Sequence, residues 1–149
     1  MSLYNIALLD IGAIMITTRR IATALSLIGA AFILYIGINY LIAPESIATG
    51  FGLPEWPTGD AAAFMNLKGV RDTVCGILLL ALLALGQRFA LGVVMVVVAL
   101  IPIGDMTTVL AYDGSTAAAF GIHGFTALLV GITGLLLIRE SVASAPAPA

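Results

Sequence analysis

The stretch IATALSLIGAAFILYIGINYLIA, residues Ile21 to Ala43, carries no charged side chain from end to end. As a helix rising 1.5 Å per residue it covers about 35 Å, enough to cross the hydrocarbon core of a bilayer. Pro44 stops it, because proline has no backbone N–H to continue the ladder. The composition extends that reading to the whole chain. Of 149 residues, 61% are hydrophobic and 9% charged, with a mean hydropathy of +1.15. A chain so apolar has no solvated surface of its own, and lipid is its expected solvent.

Working outward from Pro44, the connection to Asp60 holds Gly50, Phe51, Gly52, Pro54, Trp56 and Pro57, suited to a loop at a membrane interface. A second span is predicted from Ala61 to Leu85, polar in its first half and aliphatic from Ile77 onward. The Gly86-Gln87-Arg88 turn is so short that the third span, Phe89 to Tyr112, must return antiparallel, with a kink at Pro102. After Asp113-Gly114-Ser115 comes the fourth span, Ala117 to Ile138, stopped at Arg139. The expected fold is an all-α integral membrane four-helix bundle, up-down-up-down, filling residues 21–139 as one domain.

Residues 1–20 read as an N-terminal extension. Asp10 interrupts the apolar run Leu3 to Ile16, and Arg19 and Arg20 follow it, whereas a signal peptide places its charge first. An interfacial helix or half-ordered tail fits better than a fifth crossing. Residues 140–149, rich in alternating Ala and Pro, are expected to be a disordered tail. Arg19, Arg20, Arg88 and Arg139 fall on one side of the predicted spans. The positive-inside rule therefore puts both termini in the cytoplasm, the plasma membrane being the expected location.

Several function classes drop out. A net charge of −2 with six Lys and Arg offers no surface to neutralise phosphates, so nucleic acid is not an expected partner. The single Cys75 excludes an internal disulfide, a paired-thiol redox centre and a multi-cysteine metal site. One histidine cannot ligate haem from both sides, and no metal constellation or glycine-rich phosphate loop is present. No cofactor and no metal are implied.

Five ionisable residues fall inside predicted spans: Lys68, Arg71 and Asp72 on the second, Asp105 on the third and His123 on the fourth. A central Lys, Arg or Asp costs on the order of 3 kcal/mol on insertion scales, so these residues should face one another or water. Lys68, Asp105 and His123 each lie about eight residues into their helices, a common depth of roughly 12 Å. Lys68, Arg71 and Asp72 share one face of their helix, and the expected result is a single polar layer.

Two readings of that layer stand. With His123 neutral, two positive and two negative charges compensate, which is what a structural ion-pair network needs. The other reading assigns acid–base chemistry to His123 with Asp105 or Asp72, and ligand binding to Lys68 and Arg71. Asn66, Thr108, Tyr35 and Asn39, with Thr73 and Thr107, add hydrogen bonds at similar depth. Gly121, Gly124, Gly131 and Gly134, with Ala117, form a small-residue stripe on the fourth helix that Gly29 and Gly37 on the first can answer.

Pro44, the Gly50-Phe51-Gly52-Leu53-Pro54 run, Lys68-Gly69-Val70-Arg71-Asp72, Pro102-Ile103-Gly104-Asp105 and His123 together resemble an uncharacterised family of small four-helix bacterial and fungal membrane proteins in the broad DoxX-like group. The resemblance covers about residues 21 to 139. It implies the four-helix fold and makes the five ionisable residues its signature positions, but it supplies no reaction.

The leading expectation is a polar pocket that binds, or acts on, a small lipophilic oxygen-bearing molecule of the quinone or isoprenoid class. The alternative is a non-catalytic subunit or assembly factor of a membrane complex, its stripe docking a membrane protein partner or a second copy in a homo-oligomer. Whether the chain is an enzyme stays open at this point.

Overall fold

The computed structural model describes residues 3–144, with side chains at residue 13 and from 15 onward. Every regular element among them is helical. The first helix, α1, runs unbroken from Leu3 to Ile42. The N-terminal extension, read from the sequence as an interfacial helix or half-ordered tail, is helical from Leu3 and continuous with the first predicted span. No Gly or Pro falls between Ala13 and Ser26, and Thr17 and Thr23 return their hydroxyls to the carbonyls of Ala13 and Arg19, each at 2.9 Å.

Pro44 opens a short helix, α2 (Pro44–Ala48), and a loop then leads through a 3-10 turn (Gly59–Ala62) into α3 (Ala63–Ala84). At the end of α3 the Gln87 amide donates to the Leu82 carbonyl at 2.9 Å and the Gly86 amide to Leu83 at 3.1 Å. This is the Schellman arrangement, and Gly86 adopts the left-handed φ of 68° that it requires. Next come α4 (Arg88–Val98) and α5 (Leu100–Ala111), interrupted at Ala99. Pro102 explains the break, since it offers no N–H to the Val98 carbonyl and its ring crowds that oxygen. A second Schellman turn follows, from Gly114 to Val109 at 2.8 Å and from Asp113 to Leu110 at 3.3 Å, with Asp113 in the left-handed position.

Ser115 caps α6 (Thr116–Ala118) by accepting from the Ala118 amide at 3.2 Å. The chain then widens into one π-helical segment, Ala119–Gly124, before α7 (Phe125–Ala143). Residues 140–143, expected to begin the tail, belong to α7, and residues 145–149 of that tail lie outside the described residues.

Among the described residues, three stretches are long and apolar enough to cross a membrane: Met15–Ile42, Arg88–Ala111 and Thr116–Ala143. The second span expected from the sequence falls on α3, which is not among these three and whose 22 residues hold Lys68, Arg71 and Asp72.

Packing follows the small residues, although not in the pairing the stripe predicts. Gly37 of α1 meets α3, where a Cβ would come within 2.5 Å of the Thr73 amide nitrogen. Gly134 of α7 meets Gly92 of α4, and a Cβ on Gly92 would come within 2.8 Å of the Gly134 carbonyl oxygen. Gly29 and Gly121 have open space where a Cβ would stand. One buried cluster, including Ala22, Ala30, Leu79, Leu91, Met95 and Leu137, draws on α1, α3, α4 and α7, and a second gathers Tyr40, Ala48 and Met65. Beyond the first cluster, Arg88 pairs with Glu140 through Nε and Oε1, and donates to Thr23 Oγ1 at 3.0 Å and to the Arg19 carbonyl at 3.3 Å. Three helices are thereby pinned at one guanidinium.

Candidate functional site

Lys68 and Asp72 lie one helical turn apart on α3, so their side chains meet without long-range help. Lys68 Nζ stands 2.7 Å from Asp72 Oδ2, and Arg71 Nε stands 2.9 Å from Asp72 Oδ1. Asp72 is completely buried, with a cation on each oxygen. Sequence spacing left open which aspartate Arg71 pairs with, and the structure selects its neighbour Asp72.

Asp105 arrives from α5, beyond the break at Ala99. Its Oδ2 is 3.6 Å from Lys68 Nζ and 4.0 Å from His123 Nδ1. Both distances exceed hydrogen-bond length, so Asp105 is held by charge rather than by direct donors.

His123 belongs to the π-helical segment, and such segments occur frequently at functional sites. The ring is buried, and its Nε2 lies 2.8 Å from the carbonyl oxygen of Phe51. A carbonyl only accepts, so Nε2 carries the hydrogen. Phe51 is positioned by its own loop. The Gly52 carbonyl accepts from the Ser115 amide at 2.7 Å, and Gly52, at φ 104°, passes so close to Ala118 that a Cβ would meet that side chain at 2.6 Å. The Phe51 ring lies 4.7 Å from the imidazole centroid, tilted by 56°. It also joins Tyr40 around the Lys68 ammonium, the two ring centroids lying 5.3 and 5.1 Å from Nζ, within cation–π range.

Lys68, Asp72, Asp105 and His123 line the polar end of a cavity of about 630 Å³, whose remaining wall is largely apolar and includes Ile33, Ile36, Leu79, Met95, Leu129 and Val130. This is the size and character of a small-molecule site.

The other candidates from the sequence lie elsewhere. Arg71, its side chain 43% exposed, braces Asp72 from outside the cavity. Asn66 donates to the Tyr40 and Leu41 carbonyls at 3.2 and 3.4 Å and so ties α3 to α1. Asn39 donates to the Tyr35 carbonyl at 2.8 Å. Tyr35, 59% exposed, and Thr108, also exposed, do not line the cavity. Shared depth brought these residues into consideration, but depth says nothing of direction around a helix axis.

A family model described as a domain of unknown function, DUF4267, matches residues 30–137. The chain belongs to the DUF4267 family. The matched range falls inside the 21–139 expected from the sequence motifs and contains every residue of the polar end, while Ile28 and Gly29 of the cavity wall lie just before it. No curated protein and no solved structure matches the chain.

Sequence reasoning missed two contributors to this DUF4267 site, Tyr40 and Phe51. Gly50-Phe51-Gly52 between two turns did signal a bend, but which way Phe51 points depends on Ser115 and Ala118, more than sixty residues away.

Proposed function

We propose that this DUF4267 chain is a four-helix integral membrane protein whose cavity binds, or acts on, a small lipophilic molecule with an oxygen-bearing head, of the quinone or isoprenoid class. The observation that carries this reading is one largely apolar cavity of about 630 Å³ whose lining includes the cluster of Lys68, Asp72, Asp105 and His123. Apolar walls suit a hydrocarbon body, and the cluster suits a polar head. Asp105 and His123, whose facing atoms are 4.0 Å apart, are the candidates for exchanging a proton with that head. Asp72, with both oxygens engaged, holds Lys68 in place.

The spans, both termini in the cytoplasm and the plasma-membrane location belong to the same proposal, supported by the apolar helices and by the grouping of Arg19, Arg20, Arg88 and Arg139. Kinship with the DoxX-like group is also part of it, resting on the Lys-Gly-x-Arg-Asp and Gly-Asp elements. Native mass spectrometry of the protein released gently from its own membrane tests the reading. A lipophilic small molecule should be retained, and should be lost in Asp105→Asn and His123→Ala while the fold persists.

The non-catalytic subunit or assembly-factor reading is favoured by a different observation, the complete burial of Asp72 between two cations, which is what a purely structural network looks like. A stoichiometric protein partner co-purifying without any small molecule, and unaffected by those two substitutions, would overturn the ligand reading in its favour.

A further inference from the structure

Donors and acceptors are unequal at the polar end of the cavity, and this inequality bears on the head group. His123 uses its Nε2 hydrogen on the Phe51 carbonyl, so whenever the ring is neutral Nδ1 turns a bare lone pair toward Asp105. A carboxylate also only accepts. Two acceptors thus face each other 4.0 Å apart with no donor of their own between them. The hydroxyls of Tyr40 and Thr126 also line the cavity, but the charged donor at hand is the ammonium of Lys68. One of its hydrogens goes to Asp72 at 2.7 Å, while Asp105 at 3.6 Å lies beyond direct reach.

The charges narrow the choice further. With His123 neutral, Lys68 and Arg71 balance Asp72 and Asp105, and Arg71 is turned to Asp72 outside the cavity wall. An anionic head would meet Asp105 with no cation to spare, and a cationic head would meet Lys68. Either would be desolvated without compensation.

We propose that the ligand carries a neutral hydroxyl, an alcohol or phenol at the end of an apolar body. Its O–H donates to Asp105 or to His123 Nδ1, and its oxygen accepts from Lys68. A hydroxyl is the smallest neutral group that does both. A quinone carbonyl, aldehyde or ether only accepts, and leaves Asp105 and Nδ1 unserved. The apolar body follows the cavity from Lys68 to Leu79 along α3, eleven residues or about 16 Å of helix. This inference rests on the reading of the cavity as a ligand site.

Binding of head-group series by the full chain tests it. Farnesol, farnesal and farnesoic acid share one chain and differ only at the head, and dodecanol, dodecanal and dodecanoic acid form a linear set. Retention is read by native mass spectrometry from detergent micelles. The alcohol of at least one set should be held about tenfold more tightly than its aldehyde and its acid, as expected for one hydrogen bond to a charged group. In Asp105→Asn the alcohol should lose its advantage, and whatever binding remains should favour the aldehyde, to which the new amide donates, a change that loss of fold would not produce. An aldehyde or acid held as well as its alcohol by the unaltered chain overturns the head-group assignment and leaves the ligand site standing. Retention of none of the six overturns both.

Discussion

His123 Nε2 lies 2.8 Å from the carbonyl oxygen of Phe51, joining the loop after α2 to the π-helical segment across 72 residues of sequence. That hydrogen bond fixes the imidazole tautomer and therefore the face that His123 turns to Asp105. It also holds the Phe51 ring over Lys68. The loop is thus a wall of the site.

Removing the imidazole should free the loop. His123→Ala leaves the Phe51 carbonyl without its partner, a loss of about 1–3 kcal/mol for a buried polar group. Hydrogen exchange should accelerate at residues 50–58 while α3 and α7 stay protected. Unchanged exchange there would mean that the loop is held by the Gly52 to Ser115 contact alone.

The two aspartates should differ sharply in stability. Asp72→Asn strips a buried carboxylate from two cations and should destabilise the protein by about 3–5 kcal/mol, as when one partner of a buried pair is removed. Asp105→Asn, with no direct hydrogen bond to lose, should cost less than about 1 kcal/mol. Thermal unfolding in detergent, followed by circular dichroism, compares them. Equal losses would show that Asp105 is as structural as Asp72.

Glycine replacements should separate contact from open space. Gly92→Ala and Gly134→Ala force α4 and α7 apart, at about 1–3 kcal/mol each. Gly29→Ala meets nothing and should gain up to about 1 kcal/mol of helix propensity. The same unfolding measurement checks the order.

At Arg88, a lysine should not substitute. The guanidinium reaches Glu140, Thr23 and the Arg19 carbonyl at once, and an ammonium cannot reproduce that planar fork. Arg88→Lys should lower the unfolding midpoint nearly as far as Arg88→Met does. A lysine variant as stable as the unaltered protein would show that charge alone holds the three helices.

The tertiary structure contradicts the sequence where direction matters. Tyr35, Thr108, Asn39, Asn66 and Arg71 have the right depth and lie off the cavity, because the rotation of each helix is set by its packing. Gly37 seats α1 on α3, and the Gly92–Gly134 contact seats α4 on α7. Likewise the stripe on the fourth helix was legible, but its partners Gly92 and Ala99 were not, since small residues carry no signal of what they touch.

What the sequence alone determined is local: helices where apolar runs are long, ends at Pro44, Gly86 and Asp113, a break before Pro102, and the set of ionisable residues that had to find one another. These follow from backbone chemistry and from the penalty on isolated charge in an apolar surrounding. Only the tertiary structure decided that Arg71 pairs with Asp72, that Asp105 stands free of direct donors, and that Phe51 and Tyr40 close around Lys68. Those choices depend on helix rotation and on a loop tied to Ser115, and rotation is fixed by close packing between residues far apart in the chain.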